Sequence, residues 1–234
     1  MLKLFFLIFS LGFSGHGLGS VSFDKAKTAI ESINYLPFGS KRDGCYARAL
    51  YMGMELTSVG IPSSNQYLFG DLRPSRQIKW NYHVAPLVEV RHRGVKTLKV
   101  FDPSLSRNPI SRRGWVKLNR PKGYSQLYVT PSTHYKKKKV QYFNSQGTRG
   151  FSMQSRVRSL RQMPQYKMKD IANACKTAWY HIGEEKVSYR HKVWKRRQLK
   201  KRTLFLMGRL KKMGKLTSGA HLTSCSKGTF SQSS

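Results

Sequence analysis

The stretch Lys79–Phe101 constrains the fold more strongly than any other part of the chain, because its sequence has the pattern of a β-hairpin. Apolar side chains alternate with others along Lys79–Val90, which is the two-residue period of a strand. Arg91–Gly94 predicts a turn, with Gly94 adopting the positive φ angle that a tight turn requires. Val95–Phe101 predicts the return strand. We therefore expect an antiparallel sheet in this part of the protein.

The register of this hairpin brings two chemically useful residues together. We expect Arg91–Gly94 to form the loop, so that Val90 pairs with Val95. Equal steps outward along both strands then place His83 opposite Asp102 on the same face of the sheet. A register shift of one residue would put them on opposite faces, so this prediction depends on the length of the loop.

A cysteine with the features of a nucleophile lies earlier in the chain. Asp43 is a natural N-cap, and it predicts a helix that runs from about Gly44 to Ser58 with Cys45 in its first turn. The free N–H groups at a helix N-terminus favour negative charge, and the thiolate is the form of cysteine that attacks a carbonyl carbon. A lone cysteine is more often a small buried hydrophobe, so Cys45 needs chemical partners before it indicates a site.

His83 and Asp102 can act as those partners. A cysteine nucleophile requires a base that accepts its proton, and the base requires a carboxylate or amide that fixes its orientation. Taken singly, His83 is more often a core histidine and Asp102 a turn residue. Their predicted proximity makes Cys45, His83 and Asp102 a candidate catalytic triad. An oxyanion hole would use the backbone N–H of Cys45 and a second donor, for which Trp80 and Asn81 are candidates.

The remaining periodic segments predict a mixture of helices and strands, so the fold class that we expect is α+β. Beyond the hairpin the chain is strongly basic and largely helical. Predicted helices lie at Phe23–Tyr35, Gln165–Ile182 and Ser188–Met213, and predicted strands at Gln66–Leu72, Gly114–Leu118, Ser125–Thr130 and Val140–Phe143. We divide the chain into a signal peptide (1–20), a catalytic domain (21–145) and a basic helical C-terminal region (146–234).

Residues 1–20 have the three-part pattern of an export signal. Lys3 provides the positive charge, Leu4–Phe13 an apolar segment, and Gly17–Ser20 a small-residue cleavage region. The apolar segment is too short to span a membrane. We therefore expect a secreted or periplasmic protein without a transmembrane segment.

Export agrees with the number of cysteines. An odd number in an oxidising compartment indicates one disulfide and one free thiol. The chain has three cysteines, and the simplest assignment joins Cys175 to Cys225 and leaves Cys45 reduced.

The charge is extreme and unevenly distributed. The chain has 44 Lys and Arg against 10 Asp and Glu, a net charge of +34, and most of the excess lies after Asp102. A polycation of this kind attracts nucleic acid, anionic lipid or an acidic polymer, so we expect the C-terminal region to bind an anionic polymer or a membrane surface. The histidines are scattered singly and no Gly-rich phosphate loop is present, so we expect neither a metal nor a cofactor.

Three motifs carry a resemblance to a known family. In the order Cys, His, Asp, the motifs at Asp43–Ala49, Trp80–Pro86 and Val100–Leu105 resemble those of the secreted bacterial protein-glutamine glutaminases. These enzymes are protein deamidases with a papain/transglutaminase-like core. The resemblance implies a nucleophilic Cys45, a general acid–base His83 and an orienting Asp102. It also implies that the substrate is a glutamine side chain of a protein or peptide.

Other functions use the same residues. A papain-like protease applies this triad to a backbone amide, and a transglutaminase replaces water with an amine. A third alternative is a non-catalytic basic protein that binds nucleic acid or an anionic envelope polymer. The sequence predicts acyl transfer through a thioester, and the family resemblance favours the glutamine side chain as its target.

The cysteine assignment predicts a selective pattern of alkylation. Without reduction, an alkylating reagent should modify Cys45 alone in the unfolded protein, because a disulfide protects the other two thiols. After reduction Cys175 and Cys225 should react as well. Peptide mass spectrometry distinguishes the two states, and the recovery of Cys45 in a disulfide-linked peptide would contradict the assignment.

Overall fold

The fold is built on a mainly antiparallel sheet. The computed structural model of the protein describes residues 21–39, 44–130, 153–154, 163–217, 220–225 and 229–232. Within these residues one sheet contains β1 (Val21–Ser22), β2 (Ser64–Ser75), β3 (Ile78–His92), β4 (Val95–Val100), β5 (Ile110–Ser111), β6 (Pro121–Thr130) and β7 (Met153–Gln154). The strand order is β5-β4-β3-β2-β6-β7, and β1 pairs in parallel with the end of β3.

The central hairpin forms with a shorter turn than the sequence predicts. His92 pairs with Val95, so the loop contains only Arg93 and Gly94, whose φ angles are 49° and 80°. Two consecutive positive φ angles are typical of the turns that match the twist of a two-residue hairpin. The predicted pairing of Val90 with Val95 is therefore wrong by two residues. A shift by an even number keeps every side chain on its predicted face.

Five helices and a small second sheet complete the described part of the chain. They are α1 (Phe23–Glu31), α2 (Cys45–Ser58), α3 (Arg112–Asn119), α4 (Met168–Glu184) and α5 (Tyr189–Lys212), with β8 (Ala220–Ser224) paired to β9 (Thr229–Gln232). The predicted α+β class, with helices packed on an antiparallel sheet, is confirmed. The N-terminal helix is shorter than predicted.

The predicted strand at Gly114–Leu118 is wrong, because these residues lie within α3. The Ser111 side chain caps this helix by accepting a hydrogen bond from the backbone N–H of Gly114 at 3.0 Å. Trp115 is fully buried one position later. A local cap and one large buried side chain therefore outweigh the strand preference of this short segment.

Helices cover both faces of the sheet. On one face, Trp115 of α3 packs with sheet residues that include Leu68, Ala85 and Leu87. On the other face, α1, α2, α4 and α5 pack together with Val88 and Val90 of β3. Because both faces are covered, β3 is buried along its middle, and polar side chains in that region require protein partners.

The C-terminal helices share a core with the N-terminal half. The Tyr51 hydroxyl of α2 forms a hydrogen bond with the Thr203 hydroxyl of α5 at 2.6 Å. The Glu55 carboxylate accepts two hydrogen bonds from the Arg202 guanidinium. Cys175 of α4 is joined by a disulfide to Cys225. The boundary that we drew after residue 145 follows composition, and the hydrophobic core extends across it.

Some predicted features lie outside the described residues. These are the signal peptide (1–20), the N-cap residue Asp43 and the strand at Val140–Phe143. None of the helices in the described ranges is both long and apolar enough to cross a bilayer.

The shared core predicts that truncation of a C-terminal residue destabilises the whole fold. Leu199 of α5 is fully buried, so Leu199→Ala should lower the free energy of unfolding by about 2–5 kcal/mol in a single transition. Leu204→Ala is the matched control, because Leu204 is half exposed on the same helix and its loss should cost less than about 0.5 kcal/mol. Urea denaturation followed by circular dichroism measures both, and separate transitions would contradict a shared core.

Candidate active site

Cys45 is the first residue of α2. Gly44 is the N-cap, with a φ angle of 101°, and its carbonyl accepts the first intrahelical bonds from the N–H groups of Ala47 and Arg48. The N–H of Cys45 therefore lies in the first turn, where helix N–H groups have no intrahelical acceptor. The side chain is buried in a small cluster with Tyr67 and Val84 of the sheet. The thiol of Cys45 and its backbone N–H therefore both lie at the N-terminus of α2.

His83 and Asp102 form a buried pair beside the end of β4. That strand stops at Val100, which pairs with Leu87, so the chain leaves the sheet before it is level with His83. Asp102 follows in the loop, and its Oδ2 accepts a hydrogen bond from Nε2 of His83 at 2.7 Å. Both side chains are nearly inaccessible, with exposures of 1% and 3%. Two charged side chains can be buried here because each one has the other as its partner.

Two further residues fix the Asp102 carboxylate. The indole N–H of Trp115 donates to Oδ2 at 2.7 Å, so this oxygen accepts from two rings. Oδ1 accepts from the backbone N–H of Ser104 at 3.2 Å and from the Ser104 hydroxyl. All four contacts lie within a carboxylate's normal capacity to accept hydrogen bonds. The carboxylate is thereby held in one orientation toward His83.

The imidazole of His83 stacks with two tryptophans. Its ring centroid is 4.5 Å from that of Trp80 and 5.5 Å from that of Trp115, with interplanar angles of 21° and 23°. The faces of aromatic rings are electron-rich and attract a cation. This stacking both fixes the plane of the ring and stabilises its protonated form.

The titration of the pair follows from its environment. Burial lowers the pKa of His83, but the charge and hydrogen bond of Asp102 and the nearby Cys45 thiol outweigh it and raise this pKa to about 9. Burial raises the pKa of Asp102, and the charge of His83 together with hydrogen bonds from His83, Ser104 and Trp115 lowers it to about 2. At neutral pH the pair is therefore an imidazolium and a carboxylate.

The Cys45 thiol interacts with the imidazole of His83, whose second nitrogen, Nδ1, is not engaged by Asp102. Nε2 is engaged by Asp102, while Nδ1 is buried and has no oxygen or nitrogen partner in the described part of the chain. The thiol nevertheless interacts with the ring, because its hydrogen bonding and charge contribute to the raised pKa of His83. Nδ1 is thus the nitrogen available for proton exchange with sulfur.

The C-terminal helical region contacts both ends of the segment that precedes Cys45. A Cβ atom on Gly44 would lie 2.6 Å from Cδ2 of His181 in α4, so the space beside this N-cap is filled by the histidine ring. At the other end, Oε1 of Glu185 accepts the backbone N–H of Gly39 at 2.9 Å. Oε2 of Glu185 accepts from Lys195 of α5 at 2.7 Å, and both side chains are buried.

Two cavities adjoin the loop that carries Asp102. One, of about 340 Å³, is lined by residues that include Trp80, Ser104 and Gly39. The other, of about 390 Å³, is lined in part by Asp102 itself. Among the described residues, no cluster of three or more His, Cys, Asp or Glu side chains is arranged to hold a metal ion.

The structure places the predicted triad residues together and differs from the sequence analysis elsewhere. Gly44 occupies the N-cap position, and the helix begins at Cys45. Trp80 stacks on His83, Asn81 is exposed, and their assignment as oxyanion donors stays a prediction. Sequence reasoning missed the contributions of Ser104 and Trp115. The spacing Asp-Pro-Ser could have indicated Ser104, because aspartate side chains commonly accept from the backbone two residues later.

Comparison with known proteins shows what the region that contains these residues is similar to. A family model described as a glutaminase matches residues 21–118, which contain all three candidate residues. The resemblance of this region to the protein-glutaminase family is thereby confirmed. No curated protein sequence matches the chain.

Solved protein-glutaminase structures are similar to parts of the chain. The NMR structure of the protein-glutaminase from Chryseobacterium proteolyticum is 23% identical, with 51% of this chain and 77% of that chain covered and a TM-score of 0.44. A crystal structure of a pro-protein-glutaminase is 28% identical, covers 44% of each chain and gives a TM-score of 0.40. A crystal structure of protein-glutaminase is 21% identical, covers 61% of this chain and 98% of that chain, and gives a TM-score of 0.44.

The charge of Asp102 predicts a change in the titration of His83. Asp102→Asn keeps a hydrogen-bond acceptor but removes the charge, so the pKa of His83 should fall from about 9 to its ordinary value of 6.5 or below. NMR titration of the imidazole measures this shift. Asp71→Asn is the control, because Asp71 is only partly exposed and pairs with Arg73, so this substitution should leave the pKa of His83 unchanged.

The same pair predicts how stability depends on pH. Because the folded-state pKa of His83 lies above 6.5, its protonation stabilises the fold fully below that pH, and this contribution is lost as the pH rises through about 9. The free energy of unfolding should therefore fall over this range in the wild-type protein and fall less in Asp102→Asn. Equal slopes in the two proteins would contradict the assignment.

Proposed function

We propose that the protein is a cysteine-dependent protein deamidase, which converts protein-bound glutamine to glutamate and releases ammonia through a thioester. The observation that carries this proposal is the buried His83–Asp102 pair beside the Cys45 thiol, within the region that matches the glutaminase family. Cys45 at a helix start and His83 on the sheet also support a papain/transglutaminase-like core. We further propose that residues 1–20 direct export.

The first half of the reaction forms the thioester. In the reactive state the proton of Cys45 resides on Nδ1 of the His83 imidazolium, and the Cys45 thiolate sulfur attacks the side-chain carbonyl carbon of glutamine. The negative charge that develops on the carbonyl oxygen is stabilised by the backbone N–H of Cys45 and the positive end of α2. Collapse of the tetrahedral intermediate breaks the C–N bond. The leaving nitrogen takes the proton from His83 and departs as ammonia.

The second half hydrolyses the thioester. Neutral His83 accepts a proton from water, whose oxygen attacks the thioester carbonyl carbon. The C–S bond breaks, glutamate is released, and Cys45 and His83 return to their starting protonation. Asp102 keeps the ring oriented and stabilises the imidazolium in both halves, while Trp115 and Ser104 hold Asp102 in place.

Ammonia release tests the proposed function. The purified protein should release ammonia from a glutamine-containing protein, and Cys45→Ala should lower the rate by at least about 10³-fold because no other group forms the thioester. His83→Ala should cause a comparable loss. His92→Ala is the matched control, since His92 lies exposed on the same strand and should retain full activity.

Product analysis separates deamidation from the related reactions. Mass spectrometry of a short glutamine peptide should show a gain of one mass unit per converted side chain, with the backbone intact. Peptide cleavage without ammonia would instead assign a protease. Ammonia release accompanied by incorporation of an added primary amine in place of water would assign a transglutaminase.

A further inference from the structure

Helix α5 has two faces with different chemistry. Its inner face includes Leu199, Thr203, Leu206 and Leu210, which are buried against the rest of the protein. The helix contains eleven Lys and Arg and no Asp or Glu. Several of these cations, including Arg197, Lys200 and Lys201, point to solvent. The outer face is therefore strongly positive with no acidic side chain from its own helix to neutralise it.

Two pairs of large apolar side chains interrupt this positive surface. Val193 and Trp194 form one exposed pair, and Leu204 and Phe205 form another, with exposures of 45%, 38%, 50% and 49%. The pairs are eleven residues apart, which is about three helical turns and about 16 Å, so they project in the same direction. Arg197, Lys200 and Lys201 lie between them. We define the outer face of α5 as these two apolar pairs and the three cations between them.

The two exposed aromatic rings are already in contact with other side chains. The Trp194 ring stacks on His191 with a centroid distance of 5.3 Å, and the guanidinium of Arg202 lies 4.5 Å from the Phe205 ring centroid. Stacking of nucleic-acid bases requires open aromatic faces. The aliphatic Val193 and Leu204 offer nothing to bases or phosphates. This composition favours a partner that has negative charges to pair with the cations and a hydrocarbon region that can bury the apolar side chains.

We propose that the outer face of α5 docks on a bilayer surface rich in anionic phospholipid. A helix that lies in the membrane interface places apolar side chains below the headgroups and Lys and Arg at the level of the lipid phosphates. The outer face of α5 can make both interactions, because its two apolar pairs can insert below the headgroups while Arg197, Lys200 and Lys201 contact the lipid phosphates. The inner face stays packed on the protein, so docking requires no unfolding. This proposal does not depend on the proposed enzymatic activity.

Vesicle binding tests the proposal directly. The purified protein should sediment with vesicles of phosphatidylcholine and phosphatidylglycerol, and bind vesicles of phosphatidylcholine alone at least about tenfold more weakly. Binding should shift the tryptophan fluorescence to shorter wavelength, and Trp194→Phe should remove most of this shift because Trp194 is the ring on the outer face. Cys45→Ala should bind as the wild type does, which separates docking from catalysis.

Two variant sets identify the face that binds. Arg197→Gln with Lys200→Gln and Lys201→Gln should weaken binding at least about tenfold, since each cation near an anionic surface contributes to affinity. Its charge-matched control is Arg76→Gln with Lys79→Gln and Lys96→Gln, three exposed cations of the sheet region, and this control should stay within about twofold of wild type.

Apolar variants distinguish lipid from other anions. Val193→Ser with Leu204→Ser and Phe205→Ser should weaken vesicle binding at least about tenfold. The control Val95→Ser with Leu118→Ser removes exposed apolar side chains elsewhere and should have no such effect. Binding to duplex DNA measured in parallel should be unchanged by the apolar variant. Equal vesicle binding by wild type and the apolar variant, or no preference for anionic vesicles, would overturn the proposal.

Discussion

The buried hydrogen bond between His83 and Asp102 is the interaction on which the rest of the site depends. Two charged side chains that are almost inaccessible to water are stable only if their hydrogen-bonding capacity is met by the protein. Each neighbouring element contributes to that requirement. Strand β4 ends early enough for the loop to approach His83, Ser104 closes the loop on one carboxylate oxygen, and α3 brings the Trp115 N–H to the other. The candidate nucleophile then needs only to lie beside the remaining imidazole nitrogen.

The C-terminal helices are part of this arrangement, although their composition differs from the rest of the chain. Buried Glu185, which pairs with Lys195, accepts a hydrogen bond from the backbone N–H of Gly39, and Lys195 donates to the carbonyl of Leu36 at 3.2 Å. His181 fills the space beside the Gly44 N-cap. A polycationic segment can join a hydrophobic core because a helix needs only one apolar stripe to pack. The opposite face of α5 remains available for a different partner.

Local patterns were sufficient to predict the elements that carry the candidate triad. Alternation identified β3 and β4, and the error of two residues at the turn did not matter for His83 and Asp102 because strands repeat every two residues. The helix at Gly114–Leu118 was missed because it is stabilised by the Ser111 cap and by the burial of Trp115. Burial is a property of the folded chain and cannot be read from this short segment. The contact from Trp115 to Asp102 has no sequence signal, since an indole N–H pairs with whichever acceptor the tertiary fold provides. Composition suggested a domain boundary after residue 145, and residues from both sides of it lie in one hydrophobic core.

The contact between Gly39 and Glu185 joins residues that are 146 positions apart. Because a ribosome delivers the chain from its N-terminus, Cys45, His83 and Asp102 are all synthesised well before the C-terminal residues that contact Gly39 and Gly44. Contacts of such large sequence separation form late, after shorter loops have closed. The order of synthesis thus delays assembly of the complete site until nearly the whole polypeptide has been made. A nascent or prematurely terminated chain would carry every candidate catalytic residue without the arrangement that allows them to act together.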